Sequence, residues 1–294
     1  MKYRFLGIFV LLSFAQLCFA QAAQPKVPLP SNVEERRLSS KLMGREMPYR
    51  VILPIKYADT KDARYPVIYL LHGLTGHYNN WTELTKLVNY ASALSSIVVT
   101  PEGENGWYTD HSSKPNEKWE SYIVNELIPE IDKNFRTTGS REKRAIAGLS
   151  MGGYGSLKFG LKYPGKFILV GSFSGALGAA SYSEKAIPGA IGRTIDGIFG
   201  PIGSDTRKSN DIFEIVRNLT PEKTKSLPFI YLDCGTEDFL FQNNREFVSL
   251  LIEKKIPHEY RQLPGAHNWQ YWDKQVQEFL RLADRTFGGI ESPE

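Results

Sequence analysis

The chain has 294 residues, a formal net charge of +4, 41% hydrophobic residues and 23% charged residues. That balance is ordinary for a globular protein, and the length allows one large or two small domains with a sizeable core. No run of Lys or Arg is long enough to suggest a nucleic-acid partner, so none is expected.

The first twenty residues do not read as part of the fold. Lys2 and Arg4 form a basic start, Phe5 to Ala15 is apolar, and Cys18-Phe19-Ala20 or Ala20-Gln21-Ala22 offers a small-residue cleavage site. Together they read as a secretory signal peptide, too short and wrongly flanked for a stable membrane anchor. The expected localisation is therefore periplasmic or secreted. Ala15-Gln16-Leu17 fits a lipoprotein cleavage box poorly. Losing residues 1–20 removes two basic residues and no acid, which lowers the net charge from +4 to +2. Cys18 leaves with this segment. Cys234 is then alone and reads as a buried strand thiol, so no intrachain disulfide is expected. No other stretch is long enough to span a membrane.

Residues 21–32 are Pro-rich and polar and read as a leader. The domain proper is expected over 33–287, with 288–294 as a tail. Val33 to Pro54 reads as an antiparallel hairpin. Pro66 to Leu71 is apolar throughout, as expected of a central parallel strand. A helix is expected over Asn79–Tyr90 and a strand over Ser96–Thr100. An aromatic loop, Gly103 to His111, follows. Tyr122, Ile123, Leu127, Ile128 and Ile131 recur at helical spacing within Glu117–Asn134. Arg144 to Ala147 reads as a short buried strand and Gly153 to Leu161 as a helix. Phe167–Phe173 is another strand. Residues 175–217 are rich in Gly, Ala and Ile, carry little regular period, and read as a small cap inserted over the site. Then come strand Pro228–Asp233, helix Phe239–Lys254, strand His258–Leu263 and helix Asn268–Phe287. Strands alternating with helices specify an α/β fold with a mostly parallel central sheet flanked by helices.

The chemistry centres on Gly148-Leu149-Ser150-Met151-Gly152-Gly153. A Gly-x-Ser-x-Gly between a strand and a helix is the nucleophile-elbow pattern. The Ser must sit on a sharp turn so that its hydroxyl stands above the sheet edge. Gly148 and Gly152, without a Cβ, let strand and helix approach. The Met151 N–H then points toward a developing oxyanion. A serine hydroxyl needs a base, and the base needs an orienting carboxylate. In elbow hydrolases these follow in the order Ser, Asp or Glu, His.

His258 and His267 are the only histidines beyond the elbow. His258 alternates on a strand as an edge residue. His267 lies in a loop after the last strand, at the sheet edge that also carries the Ser, and is the favoured base. Asp238 is the favoured acid, then Asp233, then Glu237. Asp238 could equally cap the helix that begins beside it. Leu74, after the early central strand, is the candidate for the second oxyanion N–H. His72 is expected to pack behind that loop. His72 and His77 lack a third ligand that would make a zinc site.

Leu71-His72-Gly73-Leu74-Thr75-Gly76, Pro101-Glu102-Gly103, Trp107-Tyr108, the elbow, Gly235-Thr236-Glu237-Asp238 and Gly265-Ala266-His267-Asn268-Trp269 together resemble the esterase D family of α/β-hydrolases. That family includes S-formylglutathione hydrolases, feruloyl and acetylxylan esterases, tributyrin-type esterases and mycolyltransferases. The resemblance runs from about Val33 to Phe287. It implies an α/β-hydrolase fold, a triad of Ser150, Asp238 and His267, oxyanion donors at Leu74 and Met151, and no metal or other cofactor. It also implies that Thr75, Trp107, Tyr108 and Trp269 line the pocket. The expected activity is that of an exported serine carboxylesterase on small-molecule or carbohydrate acyl esters, such as acetyl or feruloyl. The alternatives are a thioesterase such as S-formylglutathione hydrolase, an acyltransferase to a sugar or lipid alcohol, and a non-catalytic binding module. The export segment argues against the glutathione thioesterase. So does His72-Gly73-Leu74-Thr75-Gly76, which differs from the Ser-Gly-Leu-Thr-Cys associated with that branch.

Overall fold

Val67 to Leu71 is apolar at every position because both of its faces are covered: Val67, Tyr69 and Leu71 enter one core, Ile68 and Leu70 the other. This strand lies near the middle of an eight-stranded sheet. The computed structural model describes residues 28–182, 185 and 190–288. The expected signal peptide and the tail beyond Gly288 lie outside the described residues, as does most of the leader.

The strands are β1 (Val33–Ser40), β2 (Arg45–Ile52), β3 (Val67–Leu71), β4 (Ile97–Pro101), β5 (Arg144–Leu149), β6 (Leu169–Phe173), β7 (Phe229–Gly235) and β8 (His258–Leu263). Their spatial order is β1-β2-β4-β3-β5-β6-β7-β8. The β1–β2 hairpin is antiparallel and joins β4 antiparallel; every later pairing is parallel. This is the mostly parallel α/β architecture expected. Asn32 belongs to the folded unit rather than to a leader: its side-chain amide donates to the Leu53 carbonyl at 3.1 Å and to the Ser92 hydroxyl at 3.0 Å.

Helices cover both faces. They are α1 (Asn80–Glu83), α2 (Leu87–Ser92), α3 (Trp119–Tyr122), α4 (Ile128–Asn134), α5 (Met151–Lys162), α6 (Ala190–Phe199), α7 (Asp205–Lys208), α8 (Ile212–Arg217), α9 (Pro221–Ser226), α10 (Phe241–Glu253) and α11 (Trp269–Thr286). Two expectations need correction. The helix expected over Asn79–Tyr90 is broken into α1 and α2, with Leu84 to Lys86 between them. At the break the Thr85 hydroxyl takes up the Trp81 carbonyl, and the Lys86 N–H donates to the Asp273 carboxylate at 2.8 Å. Side-chain bonds of this kind compete with a continuous helix. The segment 175–217 has more regular structure than its composition suggests, since α6, α7 and α8 all fall in it. α8 packs on α5 and α10, with the Phe213 and Phe247 rings 5.0 Å apart.

The run from α3 to α4 passes through one π-helical turn, Ile123–Leu127. Pro129 has no N–H for the Asn125 carbonyl, so a regular α register cannot continue there. This run carries Glu120, which meets a fully buried lysine of α5. Lys158 Nζ lies 2.8 Å from Glu120 Oε2, and it donates at 2.7 Å to both the Tyr108 carbonyl and the Thr109 hydroxyl. Burial pushes the Lys158 ammonium down to about 8. Burial also works against the Glu120 charge, but Lys158 and Lys162 outweigh it and hold that carboxyl at about 2.

The Glu120 charge therefore stabilises the fold fully above about pH 4.5, and that contribution fades as the pH falls toward 2. Glu120→Gln would leave Lys158 buried without its counter-charge. Its cost at neutral pH is expected to be about 3–5 kcal/mol, with a shallower loss of stability on acidification than the wild type shows. Urea denaturation at pH 7 and pH 4 checks both, and unchanged midpoints would refute the assignment.

Candidate active site

Ser150 separates the end of β5 from the start of α5 and has φ 52°, ψ −114°. A residue with a Cβ rarely adopts such a conformation, and the cost is of order 1–3 kcal/mol. The surrounding backbone imposes it. The Ser150 N–H donates to the Phe173 carbonyl at 2.9 Å, while the Ser150 carbonyl accepts from Ala176 at 3.0 Å and Tyr154 at 3.1 Å. A Cβ on Gly148 would sit 2.5 Å from the Gly152 backbone, and one on Gly152 would sit 2.6 Å from the Leu71 and His72 carbonyl oxygens. The glycines expected to permit close approach therefore stand where strand, helix and the loop after β3 converge.

His267 Nε2 lies 3.0 Å from Ser150 Oγ, and His267 Nδ1 lies 2.8 Å from Asp238 Oδ2. The loops that supply these two residues are joined by backbone bonds. The Thr236 N–H donates to Leu263 at 2.9 Å and the Glu237 N–H to Gly265 at 3.0 Å. Gly235 makes this possible, because a Cβ there would fall 2.1 Å from the Gly265 oxygen. The other Asp238 oxygen accepts the Leu240 N–H at 2.8 Å, just ahead of α10. Burial raises the Asp238 carboxyl, but the hydrogen bonds from His267 and the Leu240 N–H outweigh it and hold it below the usual range. Asp238 is thus a fully shielded carboxylate that stays ionised against the imidazole.

The competing candidates are placed elsewhere. Asp233 is fully buried inside β7, where burial pushes its carboxyl well above the usual range. Glu237 is exposed. His258 starts β8 at the opposite end of the sheet, opposite Ile230, with Nδ1 2.8 Å from the Ile256 carbonyl.

A cleft of about 580 Å³ opens on Ser150 and His267. Thr75 and Trp269 line it, as do Leu74, Asn80, Leu84, Gln270 and Trp272. The His267 ring is held between the exposed Phe239 ring, 4.6 Å away, and the edge of Trp272, 4.9 Å away. Trp272, Trp269 and Trp81 continue as successive edge-on contacts into the sheet. Met151 is the first residue of α5, so its N–H is one of the donors that a helix start leaves unpaired. The Leu74 N–H has no acceptor among the described residues.

Trp107 and Tyr108 do not line this cleft, contrary to expectation. Both adopt positive φ, 50° and 49°. Trp107 packs against Tyr154 and Phe199, and Tyr108 is fully buried with its hydroxyl donating to the His72 carbonyl at 3.0 Å. The Tyr108 ring lies close over Gly103 and Gly155, where a Cβ would meet it at 2.5 and 2.6 Å. Burying two large rings against α5 outweighs their use as a pocket wall. The described residues of 175–217 do not line the cleft either. Sequence reasoning placed none of Asn80, Leu84 and Gln270 at the cleft. Phe239, directly after Asp238, reads in sequence as a ring able to bury beside the acid, but it is exposed, against the His267 ring.

Among the described residues no group of three or more His, Cys, Asp or Glu could hold a metal ion, and no helix is long and apolar enough to cross a membrane. Cys234 is a free, buried thiol.

Residues 40–282 match the model of the Esterase family. The chain belongs to this esterase family. It is 32% identical over 249 residues to an acetyl esterase of Caldicellulosiruptor saccharolyticus, which covers 81% of this chain and 92% of that one. It is 27% identical over 254 residues to the S-formylglutathione hydrolase of Mus musculus, over 77% and 84% of the two chains. A solved ferulic acid esterase superposes with a TM-score of 0.74 at 29% identity, over 86% of this chain and 98% of that one. The chain thus has the α/β-hydrolase fold and is an enzyme of the serine hydrolase class, a carboxylic ester hydrolase.

Asp238 and Asp233 are distinguishable in this esterase by their opposite environments. Asp238→Asn should lower kcat about 10⁴-fold by upsetting the imidazole's tautomer and charge. Asp233→Asn, at a carboxyl that makes no contact with His267 and whose charge burial opposes, should leave turnover in the wild-type range. Initial rates on one p-nitrophenyl ester check both, and a reversed order of the two would move the acid to Asp233.

Proposed function

We propose that this esterase is an exported serine carboxylesterase that hydrolyses acyl esters of small alcohols or carbohydrates through Ser150, His267 and Asp238. The observation that carries the reading is the unbroken pair of contacts, 3.0 Å from Ser150 Oγ to His267 Nε2 and 2.8 Å from His267 Nδ1 to Asp238. His267 takes the Ser150 proton as the hydroxyl attacks the ester carbonyl. The Leu74 and Met151 N–H groups receive the negative charge that develops on the carbonyl oxygen. His267 then protonates the leaving alcohol, which departs and leaves the acyl group on Ser150. A water molecule, deprotonated by His267, repeats the sequence and releases the acid. Asp238 keeps Nδ1 protonated and stabilises the imidazolium through both steps.

Acetyl and feruloyl esters are the first substrate classes to consider. The acetyl esterase and the ferulic acid esterase resemble this chain at 32% and 29% identity. The cleft also suits an ester with a polar alcohol portion, since Asn80, Thr75 and Gln270 stand beside the aromatic Trp269. Export rests on the basic, apolar and small-residue order of the first twenty residues.

Purified protein is expected to turn over p-nitrophenyl acetate, methyl ferulate or acetylated xylan in preference to S-formylglutathione. Ser150→Ala should lose turnover by about 10⁴-fold or more. Retained activity in Ser150→Ala would end the assignment, and a preference for the thioester would change the substrate class. Intact-mass measurement of the protein recovered outside the cytoplasm should show a chain starting after Ala20 or Ala22; full-length protein confined to the cytoplasm would refute export.

A further inference from the structure

The loop after β3, His72 to Tyr78, supplies the oxyanion donor in the reading above. The second half of the loop has its amides bound from within the protein. The Thr75 N–H, at a positive φ of 62°, donates to Asn105 Oδ1 at 2.7 Å. The Gly76 N–H donates to the Gly73 carbonyl at 3.1 Å and the His77 N–H to Asn80 Oδ1 at 2.8 Å. The Tyr78 N–H reaches Glu102 Oε2 at 3.4 Å. Four successive amides are committed, and the Leu74 N–H directly before them has no acceptor among the described residues.

Glu102 is what spans this loop from end to end. It follows β4, the strand next to β3, and its side chain is 6% exposed. One oxygen lies 3.1 Å from His72 Nε2, at the start of the loop, and accepts the N–H groups of Gly103 at 2.9 Å and Glu104 at 2.7 Å. The other lies 3.2 Å from His77 Nδ1, at the end of the loop, beside the Tyr78 N–H. His72 Nδ1 lies 2.8 Å from the carbonyl of Gly73, the residue directly before Leu74, and Nε2 also lies 2.9 Å from the Gly103 nitrogen. Burial works against the charge on Glu102, yet the His72 contact and the Gly103 and Glu104 amides bring its carboxyl down to about 2.

We propose that Glu102 is a positioning residue for the oxyanion hole: its carboxylate clamps His72 and His77–Tyr78, with Asn105 as a second brace on Thr75, and so fixes the Leu74 N–H beside Ser150. This rests on the esterase reading of Ser150. The chemistry requires an acceptor-only group with two oxygens. A carboxamide at 102 would satisfy the Gly103 and Glu104 amides at one end and turn an N–H₂ against the Tyr78 N–H at the other. Displacing an oxyanion donor by about 1 Å is enough to cost on the order of 10²-fold in rate.

The test compares wild type, Glu102→Gln and Asn105→Ala in two readouts: steady-state hydrolysis of p-nitrophenyl acetate, and inhibition by a trifluoromethyl ketone, which forms a tetrahedral adduct with a catalytic serine. Glu102→Gln is expected to lower kcat about 10²-fold with KM little changed, and to weaken the ketone by a similar factor. Asn105→Ala removes one bond at an exposed side chain and should shift both readouts in the same direction by less. It decides the matter if Glu102→Gln does not fold. A folded Glu102→Gln, or Asn105→Ala in its place, with wild-type kcat and ketone affinity would overturn the proposal, as would a loss confined to KM. A wild type that neither hydrolyses the ester nor binds the ketone would overturn the esterase reading itself.

Discussion

The site depends on one close approach. Where β5 ends, the backbone of Gly152 lies so near the Leu71 and His72 carbonyls that a single methyl group at Gly152 would meet both at 2.6 Å. Three elements meet there: β5, α5 and the loop after β3. Their convergence holds Ser150 at φ 52°, ψ −114° with its carbonyl and N–H both bonded into the neighbouring chain. A strain of order 1–3 kcal/mol persists only where its surroundings over-determine it. The same convergence sets the loop after β3 against Ser150, where a Cβ on Gly73 would lie 3.4 Å from the Ser150 Cβ. The candidate nucleophile and its two candidate donors are therefore products of one packing event.

Charge is sorted around this point by burial and by hydrogen bonding. Asp238 and Asp233 are both shielded from solvent and five residues apart, but the first accepts from His267 and Leu240 while burial dominates the second. The charge is favoured on the first and opposed on the second, and only the first touches the His267 ring. Behind the cleft, Glu102 and Glu120 are buried carboxylates that also keep their charge, each through several donors. Glu102 braces the loop after β3. Glu120 meets Lys158, which also holds the Tyr108 carbonyl and so fixes the strained aromatic loop against α5. Polar networks of this kind specify one arrangement of loops where apolar packing alone would permit several.

The strand–helix alternation and the elbow were legible in the chain because they leave strong local signals. Val67 to Leu71 is apolar throughout, and glycines flank Ser150 at the two positions where a Cβ cannot be accommodated. The placement of His267 in a loop at the carboxyl edge followed from chain order, and the choice of Asp238 over Asp233 from reach. What the pattern did not carry were contacts between segments distant in sequence. The break between α1 and α2 depends on Asp273, which lies in α11. The burial of Trp107 and Tyr108 depends on the space over Gly155 and on Lys158 fixing the loop from below. Within 175–217, α8 is stabilised by docking on α5 and α10, whereas α6 does carry a helical period, with Ile195, Ile198 and Phe199 buried on one face, that the surrounding Gly and Ala obscured.

Covalent trapping tests the central claim most directly. A fluorophosphonate is attacked only by an activated serine, and peptide mapping then reports which one carries the adduct. One phosphonyl group on Ser150, absent after His267→Ala, is the expected result. A stable adduct on another residue, or no adduct on folded protein, would contradict the assignment of Ser150 as the nucleophile.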